Sequence, residues 1–97
     1  MQAKIWKARR AGKKYEAEVD GKTVAFGAAG YSDFTQHKDE ERKERYIARH
    51  RKREDWTRSG VDTAGFYAKH LLWNKGSLTA SVRDLNQKFA DVQFVLA

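Results

Sequence analysis

The chain contains no cysteine and no proline, and it has only one methionine. Without cysteine there is no disulfide framework, no thiolate nucleophile and no cysteine-ligated metal centre, a pattern that fits a reducing compartment. No apolar run approaches the length of a membrane span. The basic N-terminus has no apolar segment behind it, so no secretory leader is expected. Zero proline with 34% charged residues would suit a disordered chain. Three Trp, four Tyr and five Phe at regular spacing argue instead for a packed core, because each ring buries a large area. Ninety-seven residues suffice for one domain.

What the sequence has in excess is positive charge, +7 in all. Lys4, Lys7, Arg9, Arg10, Lys13 and Lys14 fall within residues 1–14, and no acidic residue accompanies them. The rest of the chain is close to neutral. A basic edge on a neutral body points to contact with a polyanion, either nucleic acid or an acidic protein surface.

Period-2 alternation in residues 1–26 predicts an antiparallel meander. Asp20-Gly21 is a two-residue hairpin signal that pairs Val19 with Lys22, Ala17 with Val24 and Tyr15 with Phe26. Ala11-Gly12, as a second tight turn, would pair Trp6 with Ala17 and Ala8 with Tyr15. Trp6, Tyr15, Ala17, Val19, Val24 and Phe26 would then face the core. Ile5, Lys7, Arg9, Lys14, Glu16 and Glu18 would face outward, with Lys7 opposite Glu16.

A glycine-rich connection leads to a charged helix over 35–53, capped by Ser32, Asp33 or Thr35. Asp39–Lys43 and Glu41–Arg45 have the acid-first i,i+4 spacing of ion pairs. The segment 63–90 holds two helices. The first is apolar nearly all round and is capped by Asp62 or Thr63; the second is capped by Ser77 and carries the stripe Leu78, Val82, Leu85 and Phe89. Residues 92–96 alternate as a final strand. The expected fold is therefore α+β: an antiparallel sheet of three to four strands, formed by the N-terminal meander and the C-terminal strand, packed against three helices. Its buried face around Trp6, Tyr15 and Phe26 would meet Phe66, Leu71, Leu72, Leu85 and Phe89.

Two basic clusters are candidates for phosphate contact: the six N-terminal cations, and Arg49, Arg51, Lys52 and Arg53 at the end of the charged helix. Trp56, Tyr31 and Tyr67 are candidates for base stacking. Trp56, Tyr67 and Trp73 are candidates for a protein interface, where aromatic anchors are expected. His37, His50 and His70 fall in no metal-ligand pattern, and no glycine-rich phosphate loop opens a helix. No catalytic residue, metal or cofactor is assigned, and the chain reads as a binding protein rather than an enzyme.

The words Gly30-Tyr31-Ser32-Asp33-Phe34-Thr35, Arg45-Tyr46-Ile47-Ala48-Arg49-His50, Glu54-Asp55-Trp56-Thr57 and Leu71-Leu72-Trp73-Asn74-Lys75 carry a resemblance. Over residues 22–89 the chain resembles a family of small uncharacterised proteins encoded by large DNA viruses of algae and protists and by some phages. The family's proline near Gly76 is missing here. The resemblance implies viral origin and a place in the host cytoplasm or nucleus, or in the virion. It implies two roles: an accessory protein that binds nucleic acid non-specifically, or a minor capsid protein that cements other subunits. A small nuclease is the third reading.

Overall fold

The computed structural model describes residues 1–97. The α+β fold forms. Strands β1 (Gln2–Lys7), β2 (Lys13–Val19) and β3 (Lys22–Ala28) make the meander. Helices α1 (Phe34–His37) and α2 (Glu40–His50) follow, then α3 (Ala64–Tyr67), whose last turn widens into a π-helical turn at Ala68–Leu72. Helix α4 (Leu78–Lys88) leads to strand β4 (Gln93–Leu96). The sheet order is β3-β2-β1-β4. The fourth strand joins β1 in parallel, so the sheet is mixed. No helix is long and apolar enough to cross a membrane.

The β2–β3 register is the expected one, with Tyr15 opposite Phe26, Ala17 opposite Val24 and Val19 opposite Lys22. Asp20 and Gly21 both have positive φ, as a tight primed turn demands. The β1–β2 register differs by one residue: Ile5 pairs with Ala17, Trp6 with Glu16 and Lys7 with Tyr15. The strands are joined by residues 8–12 rather than by a two-residue turn. Within that connection Ala8 N–H donates to Lys14 O (3.0 Å), and Gly12 takes φ +84°.

A one-residue slip exchanges the two faces of a strand. Ala3 and Ile5 are therefore buried, and Trp6 lies on the opposite face, where its indole Nε1 donates to Glu16 Oε1 (2.6 Å). The presence of β4 explains the choice, since Ala3 and Ile5 sit beside Phe94 and Leu96. The core closes between that face and the helices: Ala3, Ile5, Ala17, Val19, Phe26 and Phe94 meet Phe66, Tyr67, Leu71, Leu72, Val82 and Leu85. Tyr15 and Phe89 pack at its margin.

The charged helix is two helices. Lys38 adopts the left-handed conformation (φ 55°) and ends α1, and Asp39 starts α2 by accepting from Glu41 N and Arg42 N. This region docks through Phe34 and Tyr46, which are buried. Thr63 and Ser77 cap α3 and α4 through their hydroxyls.

Candidate polyanion interface

The six N-terminal cations do not form one surface. Lys14 is withdrawn into the fold: its Nζ lies 2.5 Å from Asp33 Oδ2 and 2.9 Å from Gln36 Oε1, and the two charged side chains are only 16% and 5% exposed. Asp33 is also the N-cap of α1, accepting from Thr35 N (2.9 Å) and from the Thr35 hydroxyl. The ammonium is thus consumed in fixing the 29–33 connection to β2, and Lys14 is no outward cation. Lys4 stands opposite Glu18 on the uncovered sheet face. Arg9 lies over the Trp6 ring at 5.7 Å. Lys7 is not opposite Glu16; it shares a face with Ile5 and, with Lys13, borders a recess against Gly30, Thr35 and Gln36. Arg10 is exposed in the β1–β2 connection.

The second cluster is also rearranged. Of Arg49, Arg51, Lys52 and Arg53, only Arg49 lies within α2 proper; Arg51 is its C-cap, and Lys52 and Arg53 continue as turn. Arg49 instead joins Arg42 and Arg45. Their i, i+3, i+7 spacing puts three guanidinium groups on one side of the helix. All three are exposed, and none is in an ion pair. The expected Glu41–Arg45 and Asp39–Lys43 pairs are not made. Lys43 Nζ donates to Asn74 O (2.7 Å) and sits over the Phe34 ring. Arg42, Arg45 and Arg49 border a shallow recess of about 350 Å³ that is completed by Tyr31, Ser32 and Trp73.

Aromatic stacking holds Trp73, which lines this recess. The Trp73 ring lies parallel to Tyr46 (4.5 Å, 4°), Tyr46 stacks on His50 (4.2 Å), and His37 approaches Trp73 at 5.3 Å. Burial, reinforced by Glu54, pushes the Tyr46 hydroxyl up to about 12. Partial burial and then the Arg53 and Arg49 charges lower the His50 pKa, with Glu54 opposing them. Trp73 is thus held inside this domain on one ring face, and half-buried. Tyr67 is 0% exposed and packs between Phe26, Phe66 and Phe94, so it offers neither a stacking surface nor an interface anchor. Its hydroxyl pKa is raised by burial and by Asp62. Trp56 is half-buried beneath Lys69, and its carbonyl is 2.9 Å from His70 Nε2.

The two basic recesses flank one segment. A third recess shares Lys14 and Asp33 with the lysine side, and Tyr31, Ser32 and Trp73 with the arginine side. The turn that carries Tyr31 and Ser32 is therefore a ridge with Lys7 and Lys13 on one flank and Arg42, Arg45 and Arg49 on the other. Guanidinium forks match phosphate oxygens in a plane, and an unpaired set beside a hydroxyl is suited to an anion of that geometry. Helical periodicity carried the signal for Arg42 and Arg45; no local pattern marks the Lys14–Asp33 pair, whose partners are 19 residues apart.

Residues 3–50 match the model of a family of unknown function, DUF5754. The matched stretch runs from β1 to the end of α2 and contains Tyr31, Ser32 and all three arginines of the recess, but not Trp73. No curated protein matches the chain, and no solved structure does.

Proposed function

We propose that this protein binds nucleic acid through its phosphates, without reading sequence, along the ridge between the two basic recesses. The observation that carries the proposal is the row Arg42, Arg45 and Arg49, exposed and without counter-ions on one side of α2. At 1.5 Å per residue the row spans about 10 Å of helix axis, room for roughly three phosphates of one strand. Lys7 and Lys13 extend the track on the other flank of the ridge. Contacts of this kind position a strand and carry no base readout. The viral setting implied by the resemblance over residues 22–89 suits an accessory protein of this type.

The test is the salt dependence of affinity. Each phosphate contact contributes about 0.7 to 0.9 to the slope of log affinity against log salt, so replacing all three arginines by glutamine should flatten the slope by about 2 to 3. A triple variant that keeps the wild-type slope refutes the assignment of the phosphate contacts to α2.

A further inference from the structure

Tyr31 is the one aromatic ring of this chain with nothing to do inside the fold. It is 75% exposed, and no other aromatic residue is among the exposed large apolar side chains. Every other ring has a partner. Tyr15 stacks on Phe26, Tyr46 on Trp73 and His50, and Phe66 on Phe89 and His70. Trp6, Phe34 and Trp56 each lie beneath a cation. Tyr31 has neither kind of contact.

The backbone that carries the ring is nevertheless held in place. Gly27 and Gly30 take φ of +80° and +90° on the approach to it, conformations that a side chain would resist. Tyr31 N–H donates back to Ala28 O (3.3 Å). Two residues later, Asp33 is clamped by Lys14 and by the cap of α1. The ring therefore projects from a turn fixed at both ends, and it borders the same recess as Arg42, Arg45 and Arg49.

We infer that the ligand is single-stranded nucleic acid, with an unpaired base stacked on Tyr31 and its flanking phosphates on the α2 arginines. This rests on the phosphate-binding reading above and adds the strandedness of the ligand to it. In a duplex the base faces are stacked on one another, and only base edges in the grooves and the sugar-phosphate backbone face outward, so a projecting ring finds no π-face to cover. In a single strand each base has a free π-face, and aromatic side chains beside a basic track are how sequence-independent single-strand binding is built. Ser32, exposed beside Tyr31, is placed to donate its hydroxyl to a phosphate in the same recess.

The experiment is a fluorescence anisotropy titration with a labelled deoxythymidine oligomer of about 15 nucleotides, alone and annealed to its complement, a length at or above the usual single-strand site size. The wild type should bind the single strand more tightly than the duplex. Tyr31→Ala should weaken single-strand binding by roughly 5- to 100-fold and leave duplex binding unchanged, while Tyr31→Phe should keep wild-type affinity. The inference is overturned if Tyr31→Ala binds the single strand as the wild type does, or if duplex is bound equally well. In either case a salt slope that still depends on the α2 arginines leaves the phosphate-binding reading standing. If neither oligomer shows salt-dependent binding, both fall together.

Discussion

Replacing Lys14 by methionine separates a structural cation from a binding one. The substitution keeps most of the apolar stem and removes the ammonium that lies 2.5 Å from Asp33 Oδ2. Asp33 remains charged and 5% exposed at the side chain, with Oδ2 facing no donor. Removing one partner of a buried ion pair costs about 3 to 5 kcal/mol. The lower end applies here, about 3 kcal/mol, because Oδ1 still accepts from Thr35 N and the Thr35 hydroxyl. In a domain of this size that loss lowers Tm by roughly 12 to 24 °C. Lys13 is the matched control, exposed and without an ion pair. Lys13→Met should change stability by less than about 0.5 kcal/mol, yet reduce the salt slope of oligonucleotide binding by about 1. Urea unfolding followed by tryptophan fluorescence, with unchanged m, reads the first quantity. A double variant that adds Asp33→Asn should recover part of the loss, since the uncompensated charge is gone while Oδ1 can still cap. A Lys14→Met protein that loses less than about 1 kcal/mol, or that resembles Lys13→Met in both assays, refutes the division of labour between these two lysines.

Two further measurements test the interior. His70 is 3% exposed; burial chiefly holds its pKa down at about 4, against the hydrogen bond to the Trp56 carbonyl. Below pH 6.5 the unfolded chain takes up a proton at this position that the folded chain refuses until about pH 4. Stability is therefore complete above pH 6.5 and declines by about 3 kcal/mol as pH falls to 4; a His70→Phe variant with the same pH profile would exclude His70 as the cause. A Cβ on Gly60 would stand 1.9 Å from the Asp55 carbonyl oxygen, a backbone atom. Gly60→Ala should thus cost about 2 to 3 kcal/mol. Gly76→Ala, which would meet only the Lys38 stem at 3.5 Å, should be neutral, and equal unfolding midpoints for the two variants would contradict the geometry.

Local rules account for much of the architecture. Asp20-Gly21 dictates the β2–β3 register, and the hydroxyls of Thr63 and Ser77 mark where α3 and α4 begin. The β1–β2 register is not a local property. Odd and even positions of β1 each offer one large apolar side chain, Ile5 or Trp6, and the longer connection allows either to turn inward. What decides is β4, a strand far along the chain that seats Phe94 beside Ala3. The break at Lys38 is hidden for a related reason: no glycine or proline marks it, and the visible sign is Asp39, a second cap that composition presents simply as an acid near a helix start. At the candidate site, the spacing of Arg42, Arg45 and Arg49 is legible in the sequence. The ion-pair rule obscures it by assigning Arg45 to Glu41. The loss of Lys14 to Asp33, and the exposure of Tyr31 but not of Tyr67, depend on tertiary packing and leave no mark in the order of residues.

The parallel pairing of β1 with β4 has a consequence for how the molecule is made. Gln2 lies opposite Gln93 and Ile5 opposite Leu96, and Ala97 N–H reaches back to Ile5 O (2.7 Å). β1 waits for a strand that is made much later in synthesis. Until residues 93–96 emerge, β1 has a neighbour on only one side, and its outer hydrogen-bonding groups stand open to any extended segment nearby. Contacts this distant in sequence form late and slowly. The sheet is thus completed only once residues 93–96 have been made, and a chain interrupted before residue 93 would leave β1, rather than β4, as the open edge of the sheet.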